Sequence, residues 1–354
     1  MKLFLHIGTK KTGTTSIQHF LKQNREKLLE NNIYIPQSPM VAKGNHRWVA
    51  VFAYNASRID DLIIGQQFKN NQERSEKIRK RKDQFLSECQ EAKATCNTMI
   101  LTSEQFHSRL QSQEEIQRLY STLNPIFEEI EIILYIRDPL KMAVSSLSTT
   151  IKAGGIDSTL NTPSGQDLEG NHYKTINQWE KNFPEAKITV RRFEKSRLID
   201  GDIVSDFCSQ IAANFQKNDY TFFKPTNATL SLTGMVLLRR LNFKFPRFTD
   251  NKPNPIRKTI VEFVEKNTDD GSEFLPCEEE FKLYEDYFAE PNEKVRSRYF
   301  PEERYLFESQ TKLATDKINL ENIKIKPEIY EQVIENLWEN KRKLELKLRS
   351  TKSK

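Results

Sequence analysis

Leu3-Phe4-Leu5-His6-Ile7-Gly8-Thr9-Lys10-Lys11-Thr12-Gly13-Thr14-Thr15-Ser16-Ile17-Gln18 is the stretch on which the reading of this chain turns. An apolar strand, a loop bounded by glycines and the first turn of a helix follow one another without a break. That order suits an anion, because loop N–H groups and the positive end of the helix dipole converge where a phosphate or sulfate fits. Lys10 and Lys11 add mobile positive charge, and Thr12, Thr14, Thr15 and Ser16 add hydroxyl donors. The Gly-x-x-x-x-Gly frame is that of a nucleoside-triphosphate loop, yet Thr-Thr follows Gly13 where such loops place Lys-Ser or Lys-Thr. Here the lysine stands ahead of the second glycine.

Outward from that stretch, strands and helices alternate. A helical pattern over 15–30 sets Ile17, Phe20, Leu21 and Leu28 on one side and stops at Asn31-Asn32. Residues 33–36 read as a short strand, 44–54 as a helix, and 67–94, without Pro or Gly, as a long exposed helix. Residues 98–104 read as a buried strand with a polar end. A helix over 114–123 leads to the apolar strand 130–136, which ends at Arg137-Asp138-Pro139. A long loop over 153–170, a helix over 173–182, a strand over 187–193 and a helix over 202–213 follow. Strands separated by helices imply right-handed crossovers and a parallel sheet, so the expected fold class is α/β with helices on the sheet. Ligands of such sheets sit at the carboxyl ends of the strands, where Gly8 to Ser16, Ser103-Glu104 and Arg137 all fall.

Past residue 225 the pattern turns helical and charged, over 231–241, 256–266, 278–286 and a basic helix from Pro327. The prolines between Phe243 and Pro255 mark the expected boundary: a nucleotide-binding domain over 1–245 and a mostly helical extension with a basic tail over 246–354. The chain has 354 residues, 37% of them hydrophobic and 29% charged, with a net charge of +6. This balance favours anionic ligands without requiring nucleic acid. Four scattered cysteines form no C-x-x-C pair, no histidine stands at metal-ligand spacing to them, and no apolar run is long enough to span a membrane. Free thiols, no metal and a soluble cytoplasmic protein are the expectation.

Two motifs together resemble the sulfotransferase superfamily. Lys10-Lys11-Thr12-Gly13-Thr14-Thr15 is similar to its 5′-phosphosulfate loop, with Lys11 at the catalytic lysine and Lys10 in place of the usual proline. Tyr135-Ile136-Arg137-Asp138-Pro139-Leu140-Lys141-Met142-Ala143-Val144-Ser145-Ser146 is similar to its 3′-phosphate motif, with Arg137 and Ser145 at the matching places. Residues 179–194, from Trp179 through Arg191-Arg192-Phe193-Glu194, are similar to a region of bacterial members. The resemblance implies a fold like that of P-loop nucleotide kinases, and a transferase that uses 3′-phosphoadenosine 5′-phosphosulfate (PAPS) as co-substrate without a metal. Lys10, Lys11, Thr12, Gly13, Thr14, Thr15, Ser16, Arg137 and Ser145 would hold the donor. The acceptor would be a hydroxyl or amine on a carbohydrate or glycolipid.

A general base is still needed. Cytosolic members of that family place a histidine at the end of the strand before Arg-x-Pro; Thr102-Ser103-Glu104 takes that place here, which makes Glu104 the matched base. His46, in Gly44-Asn45-His46-Arg47-Trp48, is the competing base, and His107 and His172 rank behind both. Strand alternation sends Arg191 and Arg192 to opposite faces, so at most one faces the site. Asn292-Glu293-Lys294-Val295-Arg296 is read as a solvated helix start. Two other functions fit parts of the pattern: a nucleoside-triphosphate kinase or NTPase, disfavoured by the missing lysine after Gly13, and an inactive nucleotide-binding relative on the same fold.

Overall fold

The computed structural model describes residues 1–164, 169–212, 216–222, 229–249, 252–308 and 311–352. Strand β1 (Lys2–His6) runs through the glycine-bounded loop into α1 (Thr14–Gln23) and α2 (Arg25–Glu30), followed by β2 (Ile33–Tyr34). Helices α3 (Arg47–Val51), α4 (Asp61–Gly65) and α5 (Asn71–Lys93) precede β3 (Thr98–Thr102). Then come α6 (Glu104–Arg109), α7 (Gln113–Leu123), β4 (Glu129–Ile136), α8 (Pro139–Lys152), α9 (His172–Asn182), β5 (Lys187–Arg192) and α10 (Ile203–Ile211). The five strands form one parallel sheet in the order β2-β3-β1-β4-β5. The expected α/β class with a parallel central sheet is what the chain adopts.

Alternation along the strands sorts two cores. Leu3, Leu5, Leu101, Ile132 and Leu134 face a core built with Trp48, Phe85, Phe106, Leu119 and Trp179. Phe4, Ile100, Ile133 and Tyr135 face the other, with Ile17, Phe20, Leu21 and Phe207. Burial on both faces explains why the central strands read as unbroken apolar runs. With β1 between β3 and β4, the connections after β1 and β3 leave in opposite directions. That topological switch point opens a crevice at the carboxyl ends of β1, β3 and β4.

The chain divides into two compact units: residues 1–142, 162–226 and 282–311 form the first, and 143–161, 227–281 and 312–354 the second. The expected boundary at 245/246 is not where this division falls, because residues 282–311 belong to the sheet-bearing unit while 143–161 do not. The second unit holds α11 (Leu232–Lys244), the short pair β6 (Phe248–Thr249) and β7 (Lys252–Pro253), and α12 (Arg257–Asn267). Helix α13 (Glu278–Tyr299) begins in it, and α14 (Pro327–Lys352) lies within it. Buried Arg257 organises this unit: it donates to the carbonyls of Ile151 and Lys152 at 3.1 and 2.9 Å and of Phe245 at 3.0 Å. A cation is thereby set on the negative ends of α8 and α11.

Several element readings change: the strand expected over 98–104 ends at Thr102, with Glu104 already in α6, and the helix expected over 44–54 covers only Arg47–Val51. The helix expected over 15–30 is two helices, because Asn24 spends its side chain on the backbone of Thr221, giving 2.8 Å from Nδ2 to the carbonyl and taking 2.8 Å from the N–H. The helix expected over 278–286 runs on through Pro291 to Tyr299, which makes Asn292 to Arg296 helix interior rather than a helix start. Residues 165–168 of the expected long loop lie outside the described residues, as does Ala213 at the end of the helix expected over 202–213.

Candidate active site

The opening loop needs left-handed backbone at three places. Gly8 and Gly13 hold φ of 82° and 74°, and Lys11 between them holds 66°. A Cβ on Gly8 would stand 3.0 Å from the Cα of Glu104, so the loop is packed against the start of α6. A Cβ on Gly13 would meet Ile203 at 3.0 Å and the ring of Phe193 at 3.1 Å. For lysine the αL conformation costs about 1 kcal/mol, strain of the kind that gathers at functional sites. It is held in place by neighbours: Arg137 Nη1 donates to the Lys11 carbonyl at 2.8 Å. The N–H and hydroxyl of Thr9 both donate to the Tyr135 carbonyl, at 3.3 and 3.0 Å.

Helix α1 starts on Gly13 with no side-chain cap and no acidic residue in its first turn. The N–H groups of Thr14 and Thr15 are among the orphan donors of that end, and the dipole is positive there. The threonine and serine hydroxyls do not all contribute alike. Buried Thr12 turns inward and donates to the Thr9 carbonyl at 2.8 Å, so it holds the loop's shape. Thr15 and Ser16 are half-buried and take no side-chain partner among the described residues. Lys10 is paired with Glu169.

Arg137 stands at the end of β4, half-buried, with its guanidinium 5.6 Å from the Phe193 ring centroid. Among the described residues no carboxylate forms an ion pair with it. Burial holds its pKa below the usual arginine value, partly offset by the nearby charge of Asp138. It opens onto a cavity of about 770 Å³ lined also by Lys141, Phe193, Glu194, Lys195 and Ser196. The guanidinium therefore bonds to the opening loop through one N–H and lines that cavity. Ser145 lies on the second turn of α8, half-buried, in the stretch assigned to the second unit.

Glu104 is the first residue of α6, capped by Ser103, and sits across Gly8 from the loop. Its Oε2 accepts from Gln18 Nε2 and Asn45 Nδ2, both at 2.8 Å, and its Oε1 accepts from Gln105 Nε2 at 3.0 Å. Sequence reasoning assigned no role to Gln18 or Asn45. A signal existed for Gln18, a polar residue among Ile17, Phe20 and Leu21 on the buried side of α1. His46 has no free nitrogen: Nδ1 accepts from the Thr102 N–H at 3.0 Å and Nε2 donates to the Pro36 carbonyl at 3.0 Å. Burial pushes its pKa down to about 4, so it acts as a neutral strut between β3 and the 36–46 loop rather than as a base facing substrate. His172 is also buried: Nε2 donates to the Arg137 carbonyl at 2.7 Å, Nδ1 takes no hydrogen bond among the described residues, and burial holds the pKa down to about 4. His107 is buried against Thr175.

Both arginines of β5 are structural. Arg191 forms an ion pair with buried Asp206, which also accepts from the Tyr135 hydroxyl at 2.7 Å, and Arg192 pairs with Glu303 at 2.7 Å. The structure thus brings Lys10 to Ser16, Arg137 and Glu104 to one edge of the sheet and leaves His46, Arg191 and Arg192 in supporting roles.

Comparison with known proteins adds little beyond this. No family model matches the chain. It is 27% identical over 133 residues to an uncharacterized protein of Archaeoglobus fulgidus, a match that takes in 36% of this chain and 35% of that protein. The chain therefore spans about a third of the length of that curated relative. Among solved structures it is similar to a sulfotransferase from Alicyclobacillus acidocaldarius, with a TM-score of 0.36 and 14% identity over 68% of this chain and 91% of that one.

Proposed function

We propose that the chain is a sulfotransferase that carries a sulfuryl group from PAPS to a hydroxyl or amine, on a carbohydrate or glycolipid acceptor. One observation carries the reading: a half-buried arginine without a carboxylate partner among the described residues is hydrogen-bonded to a lysine-bearing anion loop at the same sheet edge. Two anion sites so close suit a nucleotide with phosphate at both the 3′ and 5′ positions. A nucleoside triphosphate carries all its phosphates on the 5′ side and offers no 3′-phosphate to such a site.

In this reading the backbone of residues 12–16 and the helix end bind the 5′-phosphosulfate, and Arg137 takes the 3′-phosphate in a bidentate pair. The acceptor oxygen or nitrogen attacks sulfur while the bond from sulfur to the 5′-phosphate oxygen breaks, and that electron pair leaves with the phosphate. Negative charge grows on the departing oxygen, where Lys11 and the loop N–H groups stabilise it. Lys10, engaged by Glu169, is left to shape the electrostatic field of the loop. Glu104 accepts the acceptor's proton, its carboxylate oriented by three side-chain amides.

Thermal shift with adenosine 3′,5′-bisphosphate, ATP with Mg²⁺ and GTP tests the donor. The bisphosphate should raise the melting temperature most; stabilisation by ATP with indifference to the bisphosphate would overturn the reading in favour of an NTPase. Sulfate transfer from PAPS to an acceptor panel should vanish in Lys11→Ala. Bisphosphate binding with no transfer to any acceptor would mark an inactive relative.

A further inference from the structure

Helix α14 presents two different faces. Ile329, Val333 and Asn336 are half-buried, and Asn336 Nδ2 donates to Asn267 Oδ1 of α12 at 3.1 Å, which defines the side that packs within the second unit. Next to it, Ile334, Leu337 and Trp338 are 64%, 55% and 67% exposed. Three large apolar side chains in two turns, all more than half in water, are a patch that calls for a cover.

The sequence says what covers it. Tyr330, Ile334, Leu337, Lys341, Leu344 and Leu348 follow a 4-3-4-3-4 spacing, the seam of a two-stranded coiled coil with one lysine at an inner position. The helix is also divided by charge. Residues 327–340 contain four glutamates and no lysine or arginine, whereas 341–354 contain seven lysines and arginines and one glutamate. Two parallel copies would set acidic half on acidic half and Lys341 on Lys341. Two antiparallel copies set each acidic half on a basic half, twice, under one two-fold axis. In that register Ile334 shares a layer with position 344 of the other copy, and Leu337 with position 341.

We infer that α14 is a self-association surface on which two copies of this chain pair through antiparallel helices. An anionic membrane fits less well, because Glu331, Glu335 and Glu339 interleave with the exposed apolar residues and would be repelled by it. The inference is independent of the catalytic reading.

Sedimentation velocity on the full chain, over a range of concentration and salt, tests it. The expected species is about twice 41.6 kDa, dissociating on dilution and weakened by salt. Ile334→Glu with Leu337→Glu should give a monomer whose melting temperature matches that of the parent diluted to its monomeric range. A chain that stays monomeric throughout, or a dimer untouched by those substitutions, would overturn the proposal. So would flotation with anionic vesicles that those substitutions abolish, from a chain monomeric in solution. Direction is read by cross-linking, since the four native cysteines are buried. Ile334→Cys mixed with Leu344→Cys should form an intermolecular disulfide, and Ile334→Cys alone should not. Self-linking of Ile334→Cys would contradict the antiparallel arrangement.

Discussion

Helix α1 begins open, while helices α8 and α11 end closed. In the first unit, the N-terminus of α1 has no side-chain cap, although α5, α7, α9 and α10 are capped by Asn70, Ser112, Asn171 and Asp202. In the second unit, Arg257 and Asn242 satisfy the carbonyls at the ends of α8 and α11. A missing cap alone marks no site, since α2, α3 and α12 lack one too; at α1 the uncapped end coincides with the lysine-bearing loop, whereas the ends closed by buried Arg257 serve the fold. The arginines repeat the contrast: Arg257 gives its donors to the protein, whereas Arg137 gives one to the loop and turns toward the cavity.

Histidine sharpens the comparison, because all five histidines lie in the first unit and none in the second. Burial pushes His6 and His107 down to about 3 and His46 and His172 to about 4. Their unfolded value is 6.5, so below that pH the unfolded chain binds protons that the folded chain refuses. Their stabilisation is fully present above pH 6.5 and is lost as the pH falls toward 4, at about 1.4 kcal/mol per histidine per pH unit. Urea unfolding followed by the emission of buried Trp48 and Trp179 should show a midpoint that drops steeply between pH 6.5 and 4.5. A flat midpoint over that window would contradict it. This is the largest effect expected.

Next comes Arg257→Met, which leaves three carbonyls and the Asn242 side chain short of a donor and should cost about 3–5 kcal/mol in chemical denaturation. A loss below about 1 kcal/mol would mean that water closes those helix ends instead. Lys11→Gly separates the two kinds of site within one residue. It should lower the transfer rate by about 10²–10³-fold. At a φ of 66° glycine is unstrained, so stability should hold or rise by up to about 1 kcal/mol. A variant that loses stability along with rate would show the lysine to be structural. The smallest effect is that of Gly8→Ala, whose new methyl meets the Glu104 backbone at 3.0 Å with φ at 82°. It should cost about 1–2 kcal/mol in the melt and reduce kcat by displacing Glu104.

Much of this was legible in the residues. Apolar runs gave away β1 and β4 because both faces of those strands are buried, and the polar ends of the strands pointed to Gly8, Glu104 and Arg137. What stayed hidden depends on contacts far apart in sequence. Gln18 meets Glu104 across 86 residues, and Asn24 breaks a helix by bonding Thr221 across 197. Neither leaves a local trace beyond a polar residue in an apolar stripe. The division of the chain into units was hidden for a related reason: helix periodicity tells which side is buried, not which unit buries it, so residues 282–311 carry no mark of the unit they join.

The central claim is that one nucleotide is held at both ends, by the loop around Lys11 and by Arg137. Titration calorimetry of adenosine 3′,5′-bisphosphate and adenosine 5′-monophosphate, on the parent chain and on Arg137→Met, tests it most directly. The account expects the bisphosphate to bind the parent at least tenfold more tightly and the two ligands to bind the variant alike. Equal binding of both by the parent, or a 3′-phosphate advantage that survives in Arg137→Met, would contradict it.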